Sequence, residues 1–297
     1  MTLGFDADTS NEIPNLFAPR RSRIFVGRRG VVASTISCVL ILGIVVSVLF
    51  VAPGGASFRH VFFDPHEMWV AWVGDPRRGI LAIKDGLVTN IWMFLVSEVL
   101  VLFLGLALAW TRMSQSPVLL PFRILATAYT DIFRGIPLLL VVFMVGYGLP
   151  ALQFGFLSSQ SFAIYGVISL TLTYSAYVSE VFRAGILSVP NGQLLAARSL
   201  GLTHASTMRR VTLPQAIRTV IPPLLNDFIS LQKDTALVSV LGAVEATRAA
   251  QIAVSVDFNE SGLTVAALFF LVLTIPMTRF TDHLLEKDRA RRLVSSL

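Results

Sequence analysis

Charge is scarce in this chain. Of its 297 residues only 14% are Asp, Glu, Lys or Arg, where an ordinary soluble domain carries about a quarter. With 54% hydrophobic residues and a mean hydropathy of +0.71, that shortage excludes a free-standing soluble enzyme and a disordered chain. It leaves the bilayer as the solvent. Cysteine is nearly absent as well. Cys38 alone excludes an intrachain disulfide and a multi-cysteine metal site, and within its apolar run it reads as a small hydrophobe. Also missing are the G-x-x-x-x-G-K-[ST] loop that cradles ATP phosphates, the H-E-x-x-H zinc helix and the G-x-S-x-G nucleophile turn. No metal, cofactor or catalytic constellation is expected on this chain, and ATP-driven work would need a second polypeptide. The four histidines, His60, His66, His204 and His283, are scattered over loops and ends and read as solvated.

What the chain has is long apolar runs. A helix needs about 20 apolar residues to cross a hydrocarbon core of about 30 Å, and six stretches qualify as candidates. They are about 31–51, 87–110, 124–149, 161–186, 214–241 and 263–279. The first is longer than the 7–15 apolar residues typical of a secretory signal and is expected to stay as a membrane helix. The third carries Asp131 and Arg134, spaced to pair, and Pro137, which would bend it. In the fifth, Pro222-Pro223, Asp227, Lys233 and Asp234 interrupt an otherwise uniform helix. The 52–85 stretch, with Phe58, Phe62, Phe63, Trp69 and Trp72, reads as an aromatic-rich extracytoplasmic loop at the membrane interface.

The net charge of +6 and a pI near 10.0 raise the question of nucleic acid, but topology accounts for them. Arg20, Arg21, Arg23, Arg28 and Arg29 precede the first span. Arg112 and Arg123 flank the next loop on that side, Arg198, Arg209 and Arg210 occupy a further one, and Lys287, Arg289, Arg291 and Arg292 follow the last span. With six spans all four segments share one side, so the positive-inside rule puts both termini in the cytoplasm.

One loop holds more information than the spans. From Asn191 to Pro214 a polar connector has helical composition over 194–200, a glycine suited to the left-handed stop at 201, and Thr203 as a fresh N-cap for a second short helix reaching about Val211. Two short helices hinged at a glycine, with Ala196 and Ala197 as a smooth face, would form a protrusion fitted for a partner. The spacing Ala196-Ala197, three residues, Gly201, nine residues, Val211, one residue, Leu213-Pro214 resembles the EAA loop of type I ABC importer permeases. Further stretches are similar to the polar amino-acid uptake branch of that family: Phe133-Arg134-Gly135-Ile136-Pro137-Leu138-Leu139, Tyr177-Val178-Ser179-Glu180 with Arg183, and 233–239, Lys-Asp-Thr-Ala-Leu-Val-Ser. The resemblance covers about residues 86–285. The chain departs from the motif in Leu195, where the family has glutamate, and in the nearly isosteric Val211, where it has isoleucine.

The resemblance implies an all-α integral membrane protein. A five-helix type I permease core (86–285) follows a cytoplasmic tail (1–30), one extra helix (31–51) and the 52–85 loop, and precedes a short cytoplasmic tail (286–297). It implies a multi-pass subunit of the bacterial inner membrane that translocates a polar amino acid delivered by an external binding protein. A second permease subunit would complete the path, and ATP with Mg would act on separate ATP-binding subunits. Those subunits would dock on Leu195, Ala196, Ala197, Gly201, Leu202, Thr203, Arg209, Leu213 and Pro214. No nucleic acid enters. A rival from another class is a secondary transporter driven by an ion gradient.

Ionisable groups in a bilayer face cavities or partners, which makes the few intramembrane charges a short list for the transport path. Glu98 lies roughly 16 Å into its span at 1.5 Å per residue, and either meets a substrate ammonium or pairs with a neighbouring helix. Glu180 and Arg183, three apart, share a helical face and can pair. Asp227, Lys233 and Asp234 are candidates for a gate or pathway, since transporters place broken helices at substrate sites, or for packing.

Overall fold

The computed structural model describes the backbone of residues 28–295. The expected tail over 1–27, with Arg20, Arg21 and Arg23, lies outside the described residues, as do the side chains of Arg28, Arg29, Arg289, Arg291 and Arg292. The chain divides into two units, residues 1–59 and 60–297. In the first, α1 (Arg28–Val51) is apolar on every side, as suits a helix surrounded by lipid. Its described side chains, Cys38 included, are exposed. The Arg59 guanidinium lies 4.4 Å from the Phe50 ring.

Within 52–85 the expected loop is instead largely helical: α2 (Gly55–Phe62) crosses the boundary between the units and α3 (Pro65–Val73) opens the second. Asp64 caps α3, accepting from the N–H groups of His66 and Glu67, and Pro65 takes the first-turn position where its missing N–H costs nothing. Trp72 stacks on Phe269, 5.7 Å between centroids, packing α3 against the helix that carries Phe269. Arg78 holds the following turn, reaching Asp75 (3.1 Å), Asp257 (2.9 Å) and Glu67 (3.5 Å).

The bundle proper is built on α4 (Ile83–Met113), α5 (Leu120–Gly135), α6 (Leu138–Ala151), α7 (Phe162–Leu187), α8 (Asn191–Ser199), α9 (His204–Thr207), α10 (Leu213–Asp234), α11 (Ala246–Asp257) and α12 (Ser261–Ser295). Among the described residues there is no named strand. Helix α7 is central, against α4, α5, α6 and α10, and its many small residues let neighbours approach closely. A Cβ on Gly105 would lie 2.8 Å from Val178, and one on Gly185 would run into the Val220 side chain. One core gathers Met93, Val101, Val142, Tyr165, Leu170 and Leu231. A second, smaller one joins α3 to the alanine face of α11, Ala246, Ala249, Ala250 and Ala253.

Three helices, α4, α7 and α12, are long and apolar enough to cross a membrane, and up to five crossings result if each bent pair is one span. The described apolar part of α1, Ser34–Ile44, is shorter than a full crossing. The third expected span is not one helix. It begins at Leu120 and breaks between Gly135 and Leu138 with a 110° bend. Ile136, ahead of Pro137, is pushed out of the helical region to φ −96°, ψ 130°. The fifth span is corrected the other way. Pro222 and Pro223 sit inside an unbroken α10, each deleting one N–H donor while the surrounding bonds persist. The interruption comes later, at a 3-10 segment over Thr235–Leu241 stopped by Gly242 at φ +95°.

Candidate functional site

The sequence-predicted polar groups fall into four places. The first is a cleft of about 480 Å³ where the α5–α6 break faces α7 and α10. Its wall carries Arg134, Gly135, Ile136 and Pro137 on one side, and Thr173, Tyr174, Tyr177, Asp227, Ser230 and Asp234 on the others. Opposite signs of charge therefore line one cavity. The Tyr174 hydroxyl donates to Asp234 Oδ2 at 2.6 Å, which leaves the second Asp234 oxygen available. Asp227 Oδ2 is buried without a hydrogen-bond partner, and so is the hydroxyl of Thr173. The Tyr177 hydroxyl donates to the Arg134 carbonyl at 3.3 Å, fixing the end of α5 against α7. The sequence alone picks out Asp227 and Asp234 for the pathway. It does not single out Tyr174 or Tyr177 for it, although their spacing of three residues places both on one face of α7.

The second place is a node of arginines around Glu180. Arg183 Nε lies 2.9 Å from Oε2, as the spacing requires, and Arg112 from the end of α4 lies 2.7 Å from Oε1. Arg134, expected to pair with Asp131, reaches Glu180 Oε1 instead at 3.5 Å while Asp131 is exposed. The end of α5 packs on α7, with the Arg134 carbonyl held by Tyr177, and this puts its guanidinium beside Glu180.

Third, Glu98 lies apart from the cleft. It faces a separate recess of about 360 Å³ whose other walls are mostly apolar, with Leu102, Ile221, Leu224, Phe228, Met277 and Phe280. Asp227 is near enough to act on it electrostatically. Lys233 is exposed and does not line either cavity.

The 233–239 stretch has a structural role that the sequence did not disclose. Thr235 Oγ1 accepts from Asn90 Nδ2 at 3.0 Å, the same amide donates to Glu245 Oε2 at 3.0 Å, and Asn90 Oδ1 accepts from the Ala246 N–H at 3.0 Å. Glu245, fully buried, also caps α11 through the N–H groups of Thr247 (2.9 Å) and Arg248 (2.7 Å). Both oxygens of this buried carboxylate accept hydrogen bonds, and the network ties α4 to α11 and to the 3-10 segment that follows α10.

The fourth place is the 191–214 connector. Helix α8 ends in a Schellman closure: Leu202 N–H donates to the Ala197 carbonyl (3.2 Å) and Gly201 N–H to that of Arg198 (2.9 Å), with Gly201 at φ +81°. Thr203 Oγ1 then accepts from the Ser206 N–H at 3.3 Å. Two expectations need correction. The second helix is not a short, separate one: α9 continues through a π-turn over Met208–Thr212 into α10. That wider turn relieves the clash Pro214 would make with the carbonyl of Arg210. Nor do Ala196 and Ala197 share an outer face, since Ala196 is exposed and Ala197 only 6% exposed. The outward residues are Leu195 (64% exposed) and Leu200 (84%), with Thr203, Arg209, Leu213 and Pro214. Gln193 Oε1 accepts from Gln215 Nε2 at 2.7 Å, bolting α8 to the start of α10. Among the described residues, no group of three His, Cys, Asp or Glu could hold a metal ion.

The comparisons agree with this architecture. Residues 101–287 match the family described as "Binding-protein-dependent transport system inner membrane component". The arginine transport system permease protein ArtQ of Bacillus subtilis is 36% identical over 197 residues, 66% of this chain and 87% of that protein. A probable glutamine ABC transporter permease protein, GlnM, from the same organism is 38% identical over 61% of this chain and 81% of its own length. Among solved structures, an amino acid ABC transporter crystallised with histidines superposes with a TM-score of 0.63 at 33% identity, covering 69% of this chain and 93% of that one. The MetNI methionine transporter, at 18% identity and a TM-score of 0.54, shares the fold. This chain belongs to the family of binding-protein-dependent transport system inner membrane components: it is a membrane-spanning permease subunit of an ABC transporter, a transport component and not an enzyme.

Proposed function

We propose that the subunit imports a polar amino acid through the cleft, driven by ATP hydrolysed on separate subunits that dock on the α8–α9 elbow. The observation that carries this reading is continuity. From the Thr203 cap the chain runs through α9 and the π-turn into α10 without a break, and α10 bears Asp227, Ser230 and Asp234 of the cleft. A push on Leu213 is therefore delivered along the helix that lines the cavity, and one on Leu195 or Leu200 reaches it through the Gln193–Gln215 hydrogen bond between α8 and α10. Leu195, where the family has glutamate, makes that contact apolar, so packing rather than an ion pair would hold the ATPase at this point. Ala197 and Gly201 act by shaping the elbow, and Leu202 by closing it.

The cleft complements a zwitterion, with Arg134 for a carboxylate and Asp227 and Asp234 for an ammonium. The relatives named for arginine and glutamine transport support an amino-acid cargo. In the assembly a second permease, identical or related, would face this one, and an external binding protein would deliver the cargo. The subunit would lie in the bacterial inner membrane with both termini and the elbow in the cytoplasm, as the arginine distribution indicates. ATP and Mg would sit on the partner ATPase. The 86–285 segment would be the working domain, with 31–51 an added helix. Glu180 and Arg183 would brace the wall, and Glu98 would act from the neighbouring recess. Uptake of one labelled amino acid into cells expressing the complex, challenged with unlabelled competitors, tests the cargo class. Competition confined to amino acids supports the reading, and equal competition by sugars or inorganic ions would overturn it.

A further inference from the structure

Three arginines converge on one carboxylate at Glu180, and they are not equivalent. Arg112 approaches Oε1 to 2.7 Å with a side chain only 11% exposed, and Arg183 takes Oε2 at 2.9 Å. Oε2 thus accepts a charge-assisted hydrogen bond from Arg183, while Oε1 faces Arg112 at ion-pair distance without an aligned hydrogen bond. Arg134 comes last. It shares Oε1 at 3.5 Å, its side chain is 43% exposed, and of the three it alone lines the cleft. The node holds more positive charge than Glu180 neutralises, and the surplus is directed where Arg134 faces the cavity. Its guanidinium carbon lies 5.9 Å from the Tyr177 ring, while its carbonyl is held by the Tyr177 hydroxyl. The donor fork is oriented yet weakly engaged. A guanidinium has five N–H donors in a plane that matches a carboxylate.

We propose that Arg134 reads the α-carboxylate of the cargo and that Glu180 is its positioning residue, a resident carboxylate that aims the guanidinium and is displaced from it when cargo binds. This rests on the reading of the cleft as the cargo path. Arg112 and Arg183 keep Glu180 in place when Arg134 turns to the cargo, which makes capture reversible. The site then takes α-amino carboxylates and rejects the corresponding amines, because the amine leaves the surplus positive charge unanswered.

The test is equilibrium binding to the intact transporter complex in nanodiscs without the binding protein, using L-arginine against agmatine and L-histidine against histamine. The wild type should prefer at least one acid over its amine by about tenfold or more, the scale of one charge-assisted hydrogen-bonded contact. Arg134→Gln should abolish that preference and Arg134→Lys restore part of it. Glu180→Gln should tighten acid binding several-fold and weaken amine binding further, whereas a merely structural Glu180 would weaken both alike. Ser230→Cys in a Cys38→Ser background, blocked with a thiol reagent, separates the two levels. If no pair binds to the wild type, or the blocked cleft binds as before, the cleft is not the cargo site and the reading beneath the proposal fails. If the block abolishes binding but Arg134→Gln keeps the acid preference, the assignment of Arg134 is wrong. Arg134→Lys keeps the charge and Glu180→Gln keeps the size, so these arms remain readable if Arg134→Gln does not fold.

Discussion

Gly201 offers the sharpest perturbation, because its φ of +81° is required and a Cβ there would meet nothing within 4 Å. Substitution therefore acts on the elbow's backbone and leaves the packing of the bundle alone. Asn tolerates the left-handed region, so Gly201→Asn should change little. Ala has no such tolerance. Holding it left-handed costs about 1–2 kcal/mol, equivalent to roughly 5–30-fold in the population of the closed elbow. Proline cannot reach that φ and removes the N–H that donates to Arg198, so Gly201→Pro deletes the closure outright. The assay is ATP-dependent uptake by proteoliposomes titrated with purified ATPase subunit, with thermal unfolding in detergent as a control for insertion and folding. The apparent ATPase requirement should stay near wild type for Asn and rise by about 5–30-fold for Ala. Coupling should be lost for Pro at any ATPase concentration while the unfolding temperature stays within a few degrees. Wild-type uptake by a correctly inserted Gly201→Pro would refute the assignment of this elbow to coupling.

Three further outcomes are expected. Glu245→Ala strips α11 of its cap and leaves the buried Asn90 amide short of an acceptor, costing about 1–3 kcal/mol. Thermal unfolding should show this as a clear loss, smaller for Glu245→Gln, and an unchanged midpoint would contradict the network. Gly185→Ala should force α7 and α10 apart, since its Cβ meets Val220. Adding Val220→Ala should recover most of the lost stability, a coupling that a double-mutant cycle measures directly, and strict additivity would disprove the contact. Desolvation alone would raise the Asp75 carboxyl, but the Arg77 N–H and the Arg78 guanidinium outweigh it and hold the group below its ordinary value. A depressed carboxylate stabilises its fold above the unfolded-state value and loses that contribution as pH falls through the folded one. Hydrogen exchange around 74–82 should therefore accelerate as pH drops below about 4 once intrinsic rates are corrected, and Arg78→Ala should weaken that dependence while the Arg77 N–H keeps part of it.

Much of the architecture is legible in the sequence, because apolar run length is a property of the sequence itself. The Gly201 stop and the Thr203 cap are legible for the same reason: each depends on one residue's own backbone preference. What sequence reading misses depends on partners far along the chain. Arg134 has Asp131 three residues away, yet the packing of α5 on α7 brings it to Glu180. Pro222-Pro223 look like a break, but the helix survives them, and the chain departs from it only after Asp234, where Thr235 is claimed by Asn90 from 145 residues away. Tyr174 belongs to the cleft only through Asp234, 60 residues on. Lys233 reads as half of a pair with Asp234, but adjacent residues on a helix point about 100° apart, and only Asp234 turns inward.

The most direct test of the account as a whole is its energy source. Proteoliposomes holding this permease, its partner permease, the ATPase and the binding protein should accumulate amino acid when ATP is supplied on the ATPase side. They should do nothing when the ATPase is omitted and a proton gradient is imposed. Accumulation driven by the gradient without the ATPase would contradict the account and identify a secondary transporter instead.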